Sequence, residues 1–327
     1  VTKSSIKIAV VKGDALEFRA DVLALKYAQS LHGVDRVAHQ ALGRAGVKLK
    51  LPKPGTQRII ASGGAVAADR ILFVGVQPLQ DLGYAGIRTF ARRALSSLAD
   101  QKGKLRRVAL TIHGPGFGLD ETEAFESELA GVLDAIGKNE YPDSLELVSF
   151  VEMDKKRVRR LAEVLRRLVP TGSVSRGGRG TLSGLDRPAK KTLRTAGSGS
   201  ASKPRVFVAM PFADEMGDTF HYGIQGAVNA AGLLAERADL ATFAGDVMDW
   251  VKTRISSAKL VIADLTTANA NVYLEVGYAW GKGVPTILLA KSTADLKFDV
   301  KGQRCIIYSS ISDLEAKLAR ELKGLLG

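Results

Sequence analysis

The stretch "KLVIADLTTANANVYLEVGYAWGKGVPTILLAK", Lys259 to Lys291, decides the fold of the C-terminal half. An apolar run ends on Asp264, a loop of Thr and Asn follows, and a second apolar run starts at Val284. Between them, a helix over Asn271–Gly281 puts Val272, Val276 and Ala279 on one stripe with Glu275 beside it. A solvated helix face would mix in Lys, Arg or Gln, but the neighbours of Glu275 are Tyr273, Leu274, Val276, Gly277 and Tyr278. A carboxylate in that company is either paired or sits in a cleft, and clefts are where perturbed carboxylates do chemistry. Gly277 and Gly281, four apart in a helix, each cost about 1 kcal/mol against Ala. Close packing against a backbone or a ligand would explain them.

The pattern continues on both sides. "RVFVAMPF", "LLAERAD", "KLVIADL", "VPTILLAK" and "RCIIYS" read as strands. The helices between and after them are "GDTFHYGIQGAVNAAG", "GDVMDWVKTRISSA", the Glu275 segment and "ISDLEAKLARELKGLL". Strands alternating with helices mean a parallel sheet covered on both faces. In such a sheet ligands bind beyond the carboxyl ends of the strands, at the switch point. Those ends carry Pro211 and Phe212, the latter able to cover a flat ring, and the loop Asp264–Asn271, with Asn269 and Asn271 as candidate substrate contacts. Asn and Thr there also serve as turn and N-cap residues.

The N-terminal half alternates less regularly. Strands over "SIKIAVVKGD", "ADVLALKYA", "QRIIAS", "RILFVGVQ", "RVALTIHG" and "LELVSFVEM" are interleaved with four helices, the last being "DKKRVRRLAEVLRRLV". Between the halves, Pro170 to Pro204 is rich in Gly, Ser and basic residues and poor in large apolar side chains. It reads as a flexible linker. The expected fold is therefore two three-layer α/β domains, 1–169 and 205–327, joined by a linker at 170–204, the second a flavodoxin-like five-stranded parallel sheet.

Of the net charge of +13, residues up to 169 carry about +8, residues 170–204 about +6 and the remainder about −1. Basicity favours phosphate-bearing partners, but there is no finger spacing or RNP-like motif, so specific nucleic-acid binding is not expected. No apolar run is long enough to span a bilayer, so no membrane partner is expected. The single cysteine, Cys305, excludes an intramolecular disulfide, and with no secretory signal visible the expected location is the cytoplasm. His32, His39, His113 and His221 are scattered without metal spacing, so no metal is expected.

"FVAMPF", the long stretch quoted above and "FDVKGQRCIIYS" together resemble the nucleoside 2-deoxyribosyltransferase-like branch of the TIR-like superfamily, over about residues 205–326. The resemblance implies that Glu275 attacks or stabilises the anomeric carbon while an N-glycosidic bond breaks, with NAD or a nucleotide as substrate and no cofactor required. Two departures stand out: the family's acid six residues before the nucleophile is Asn269 here, and the family's terminal tyrosine is replaced by "LKGLLG". Asp264 is then the remaining acid candidate.

"KIAVVKGDALEFRADVLALKYA", "HGVDRVAHQAL" and "VALTIHGPGFGLDETEA" are similar in order to a macrodomain. That resemblance implies a mixed sheet for the first domain and an ADP-ribose-like ligand held by Asp14, by Gly33 and Val34, and by Gly114, Gly116, Phe117 and Gly118. The family's Asn-rich stretch is "KYAQS" here, which shifts the expectation from hydrolysis to binding.

Three functions remain open. The first is a nucleotide-responsive N-glycosidase, active as a homo-oligomer and, by the domain pairing of the families it resembles, serving anti-phage defence. The others are a two-module nucleotide-binding protein without turnover, and a nucleoside deoxyribosyltransferase.

Overall fold

The computed structural model describes residues 5–78, 81–113, 119–176, 181–200, 203–211, 213, 216–237 and 247–326. The chain divides into two compact units, 1–114 with 122–198, and 115–121 with 199–327.

The first unit is built on an eight-stranded mixed sheet in the order β3-β4-β2-β5-β6-β1-β7-β8. Its strands are β1 (Ile6–Lys12), β2 (Val22–Tyr27), β3 (Gln57–Ala61), β4 (Arg70–Gly75), β5 (Arg107–Thr111), β6 (Leu147–Glu152), β7 (Ser173–Arg176) and β8 (Leu182–Ser183). The five central strands are parallel; β3, β7 and β8 run antiparallel to their neighbours. Strands buried on both faces become continuous apolar runs, as in "RILFVG" of β4, where Ile71, Leu72 and Phe73 are fully buried. The helices are α1 (Gly33–Arg44), α2 (Tyr84–Ser96), α3 (Glu121–Gly137), α4 (Lys155–Leu168) and α5 (Arg187–Arg194).

The expectation of a flexible linker over 170–204 is corrected. Its first part continues the sheet: β7 pairs with β1, with Ile6 opposite Val174. Its second part is α5, capped by the Asp186 side chain on the Ala189 N–H at 2.7 Å and started by Pro188 in the first turn. The segment's few apolar residues supply the reason. Val174, Ala189 and Leu193 are spaced so that each one is buried, and three anchors suffice to dock so short a piece.

The second unit is a five-stranded, all-parallel sheet in the order β10-β9-β11-β12-β13. The strands are β9 (Arg205–Ala209), β10 (Leu234–Arg237), β11 (Leu260–Asp264), β12 (Thr286–Ala290) and β13 (Cys305–Ile307). Residue alternation assigns the faces. Val206, Val208, Leu260, Ile262 and Leu289 face one layer, containing Phe220, Ile224, Leu314 and Leu318. Phe207, Ala209, Val261, Ala263 and Leu288 face the other, containing Val251, Ile255, Val272, Val276 and Ala279. The first layer is α6 (Met216–Asp218), a π-helical turn (Thr219–Ile224), α7 (Gln225–Ala230) and α10 (Ile311–Leu326); the second is α8 (Val247–Ser257) and α9 (Ala270–Gly281). Gly223 lets the π-helical turn approach α10: a Cβ there would lie 2.7 Å from the Leu314 side chain.

Among the described residues no helix is long and apolar enough to cross a membrane.

Candidate functional site

The strand order of the second unit reverses between β9 and β11, which makes the carboxyl ends of these two strands the expected crevice. Both connections leaving it are irregular. After β9 the chain enters the π-helical turn, a feature common at functional sites. After β11, Thr267 and Ala268 both adopt left-handed backbone, at φ 66° and 49°. A β-branched residue there is strained by about 1–3 kcal/mol, and such strain clusters at ligand sites.

Asp264 ends β11 and is fully buried. Its Oδ1 accepts from the Thr266 N–H at 2.9 Å, and its Oδ2 from the Tyr308 hydroxyl at 2.7 Å. Burial pushes its carboxyl above the usual range, opposed by hydrogen bonds from Thr266 and Tyr308. The same burial and the Asp264 charge raise the Tyr308 phenol. The expectation of Asp264 as a reacting acid therefore changes: both oxygens are engaged and closed to solvent, so its work is to hold the loop that launches α9. Tyr308 was missed from sequence. The signal was a lone tyrosine ending an apolar strand in "RCIIYS".

Asn269 caps α9, its side chain accepting from the Asn271 N–H at 3.0 Å. The capping reading thus accounts for Asn269, while Asn271 stands exposed in the first turn and Pro211 is buried at the end of β9. Phe212 lies outside the described residues.

Glu275 is part-buried on α9, flanking the Val272–Val276–Ala279 stripe on the side of Tyr278. The Tyr278 hydroxyl lies 3.3 Å from Ser256 of α8. Burial alone raises the Glu275 carboxyl to about 7. Among the described residues no hydrogen bond or ion pair engages it. Sequence left Glu275 either paired or in a cleft; among the described residues it is unpaired.

Gly277 and Gly281 differ from expectation. Among the described residues a Cβ at either would meet nothing within 4 Å, so neither is packed against a described backbone. Together with Leu274 and Trp280, 58% and 40% exposed, they form an open apolar face of α9. An open depression of about 720 Å³ between α8 and α9 is lined by Asp249, Lys252, Thr253, Ser256 and Tyr278, without Glu275.

Arg237, at the carboxyl end of β10, is buried with its guanidinium 4.9 Å from the centre of the Phe220 ring. It places a positive charge one strand away from β9, at the same end of the sheet. Cys305 is half-buried, and burial with the Asp264 charge pushes its thiol up to about 11, so it is unreactive at neutral pH.

In the first unit, Asp14 turns its carboxylate onto its own loop, accepting from the Leu16 N–H at 2.8 Å. Gly33 begins α1 at φ +48°, with nothing among the described residues within 4 Å of where a Cβ would stand, and Val34 follows it half-buried. The N-cap of α1, His32, makes no side-chain capping bond, which leaves first-turn N–H groups for another acceptor. Gly114, Gly116, Phe117 and Gly118 lie outside the described residues.

Behind this region lies a buried polar cluster. Lys26 at the end of β2 pairs with Asp35 of α1 at 2.7 Å. Burial pushes the Asp35 carboxyl up, and the Lys26 ammonium opposes it. His113, just past β5, is buried against Phe90 edge-on, ring centres 4.7 Å apart. Its backbone N–H donates to Glu128 Oε2 at 3.2 Å. Burial drives the His113 ring well below its ordinary value and the Glu128 carboxyl well above. His113 thus packs rather than presenting a charge. Lys26 in the apolar run "VLALKY" was the sequence signal for this cluster. Among the described residues no group of three His, Cys, Asp or Glu is placed to hold a metal ion.

No family model and no curated protein matches the chain. Solved structures similar to its N-terminal half are macrodomains. The Trypanosoma brucei macrodomain in complex with ADP is 17% identical, with TM-score 0.41, covering 49% of this chain and 69% of that one. The Oceanobacillus iheyensis macrodomain with ADP is 18% identical, with TM-score 0.40, covering 51% and 98%. The macro domain of ganglioside induced differentiation associated protein 2 is 16% identical, with TM-score 0.39, covering 49% and 83%.

Proposed function

We propose that the second unit is an N-glycosidase acting on a nucleotide or NAD-like dinucleotide through Glu275, and that the first unit binds a nucleotide-like ligand. The observation that carries the reading is the unpartnered, part-buried Glu275 on the helix leaving a strained loop at the switch point. In the proposed step the bond between the sugar's anomeric carbon and the base nitrogen breaks, and the bonding pair leaves with the base. The ionised Glu275 stabilises the resulting oxocarbenium-like centre or traps it as an ester, and water completes the hydrolysis.

The engagement of Asp264 and the capping role of Asn269 narrow the substrate. Among the described residues no second free acid stands at the crevice, which favours a base that can leave without being protonated. A pyridinium base such as nicotinamide does so, because it departs neutral; a purine departs as an anion unless an acid protonates it. NAD-like substrates are therefore favoured over nucleosides, and hydrolysis over base exchange. For the first unit, the uncapped start of α1 and the lack of a described neighbour at the Gly33 Cβ position support an anionic ligand. The resemblance supports an ADP-ribose-like ligand.

The test is chromatography of released base from NAD, NADP, inosine and deoxyadenosine, with and without ADP-ribose, for wild type and Glu275→Gln. Nicotinamide released by wild type and reduced at least about 100-fold in Glu275→Gln supports the reading. Equal background in both, with nucleotide binding retained, supports the alternative of a binding module without turnover. That Glu275 has no second free acid beside it among the described residues is the observation that keeps that alternative open.

A further inference from the structure

We propose that the exposed surface of α4 and α5 binds the phosphate backbone of double-stranded nucleic acid without reading its sequence. The two helices pack on one another within the first unit. Leu161, Leu165 and Leu168 of α4 and Ala189 and Leu193 of α5 turn inward, so the cations of both helices share the outside. Six of these, Lys155 and Arg159 on α4 and Arg187, Lys190, Lys191 and Arg194 on α5, are exposed. None has an acidic partner among the described residues. Arg166 and Arg167, by contrast, are balanced by Glu163 and Glu126.

This arrangement opposes the stability of α5. Its four cations fall at i, i+3, i+4 and i+7, on one stripe of an eight-residue helix, where like charges repel by a few tenths of a kcal/mol per pair. A polyanion reverses that sign. The helices also discriminate between polyanions. Anchoring in a bilayer needs large apolar side chains on the same face, and single strands are held by aromatic stacking. Neither α4 nor α5 contains an aromatic residue. The exposed large hydrophobics among the described residues lie elsewhere, Met153 ahead of α4 being the nearest in sequence. What remains is charge alone, which fits a regular array of phosphates and carries no sequence information.

The full chain is titrated by fluorescence anisotropy into two labelled duplexes of about 20 base pairs and unrelated sequence, and into a single strand of equal length, with the salt varied from about 50 to 200 mM. Sedimentation with phosphatidylserine-containing vesicles is the membrane arm. Wild type is expected to bind both duplexes equally, with a log–log salt slope of about −4 to −5. Arg187→Gln, Lys190→Gln, Lys191→Gln and Arg194→Gln combined are expected to weaken binding at least about tenfold and to flatten the slope by about 3. Lys155→Gln with Arg159→Gln should weaken it by a smaller factor. A control removing four cations of the second unit (Lys259, Lys282, Lys297 and Lys301, each to Gln) should leave it unchanged. Circular dichroism confirms that each variant is folded. Absence of salt-dependent duplex binding, an unchanged affinity in the folded quadruple α5 variant, or preference for vesicles or single strands would overturn the proposal.

Discussion

Glu275 and Asp264 stand eleven residues apart and have opposite surroundings. Asp264 has a donor on each oxygen, whereas Glu275 has burial without a partner. The consequence of the second can be measured. The Glu275 carboxyl rises from 4.5 to about 7 on folding, so between those values the folded state binds the extra proton and stability falls as pH rises. Glu275→Gln removes that cost. In urea denaturation it should be more stable than wild type by about 2 kcal/mol at a pH of about 8, the difference vanishing below pH about 4. If the same group does the chemistry, wild-type turnover should rise with pH through about 7, since only the ionised form can stabilise or trap the cationic centre. The contrasting test is Tyr308→Phe. It leaves Asp264 Oδ2 without its donor inside the fold and should cost about 1–3 kcal/mol, read in the unfolding midpoint of the second unit.

At the scale of elements, α9 shows how far a pattern can carry. Its apolar stripe and its end near Gly281 were legible, because periodicity is local, whereas the cap stayed open among several Thr and Asn residues until the structure gave it to Asn269. The reason for its glycines was not. Helical spacing suggested a close neighbour, and among the described residues neither has one. Gly277→Ala should therefore raise stability by about 0.5–1 kcal/mol, the helix-propensity difference, in thermal denaturation at low protein concentration. A loss instead would show that another molecule packs on the Leu274–Trp280 face. The π-helical turn beside β9 was likewise invisible beforehand, because its register is set by Gly223 meeting Leu314 of α10, about 90 residues away in sequence.

At the scale of the molecule, the largest revision concerns residues 173–194. Composition suggested a tether, yet two short strands and a helix complete the first unit. Leu193→Asp buries a charge in that contact and should destabilise the first unit by about 3 kcal/mol or more. Both tryptophans, Trp250 and Trp280, lie in the second unit. The far-UV circular dichroism transition should therefore move while the tryptophan fluorescence transition stays. A flexible linker would leave both in place. The same docking turns the basic run of the sequence into a surface shared with α4, which is what makes the nucleic-acid proposal testable.

Sequence by itself determined the alternation of strands and helices in both halves, the all-parallel sheet of the second, and the singularity of Glu275 among apolar neighbours. Each of these depends on near neighbours in the chain, through side-chain period and composition. Tertiary structure alone decided that Asp264 is tied to Tyr308, that Lys26, Asp35, His113 and Glu128 share one buried cluster, and that the basic segment folds back onto β1. Those outcomes depend on which distant groups burial brings within a hydrogen bond's length, and no local pattern encodes that.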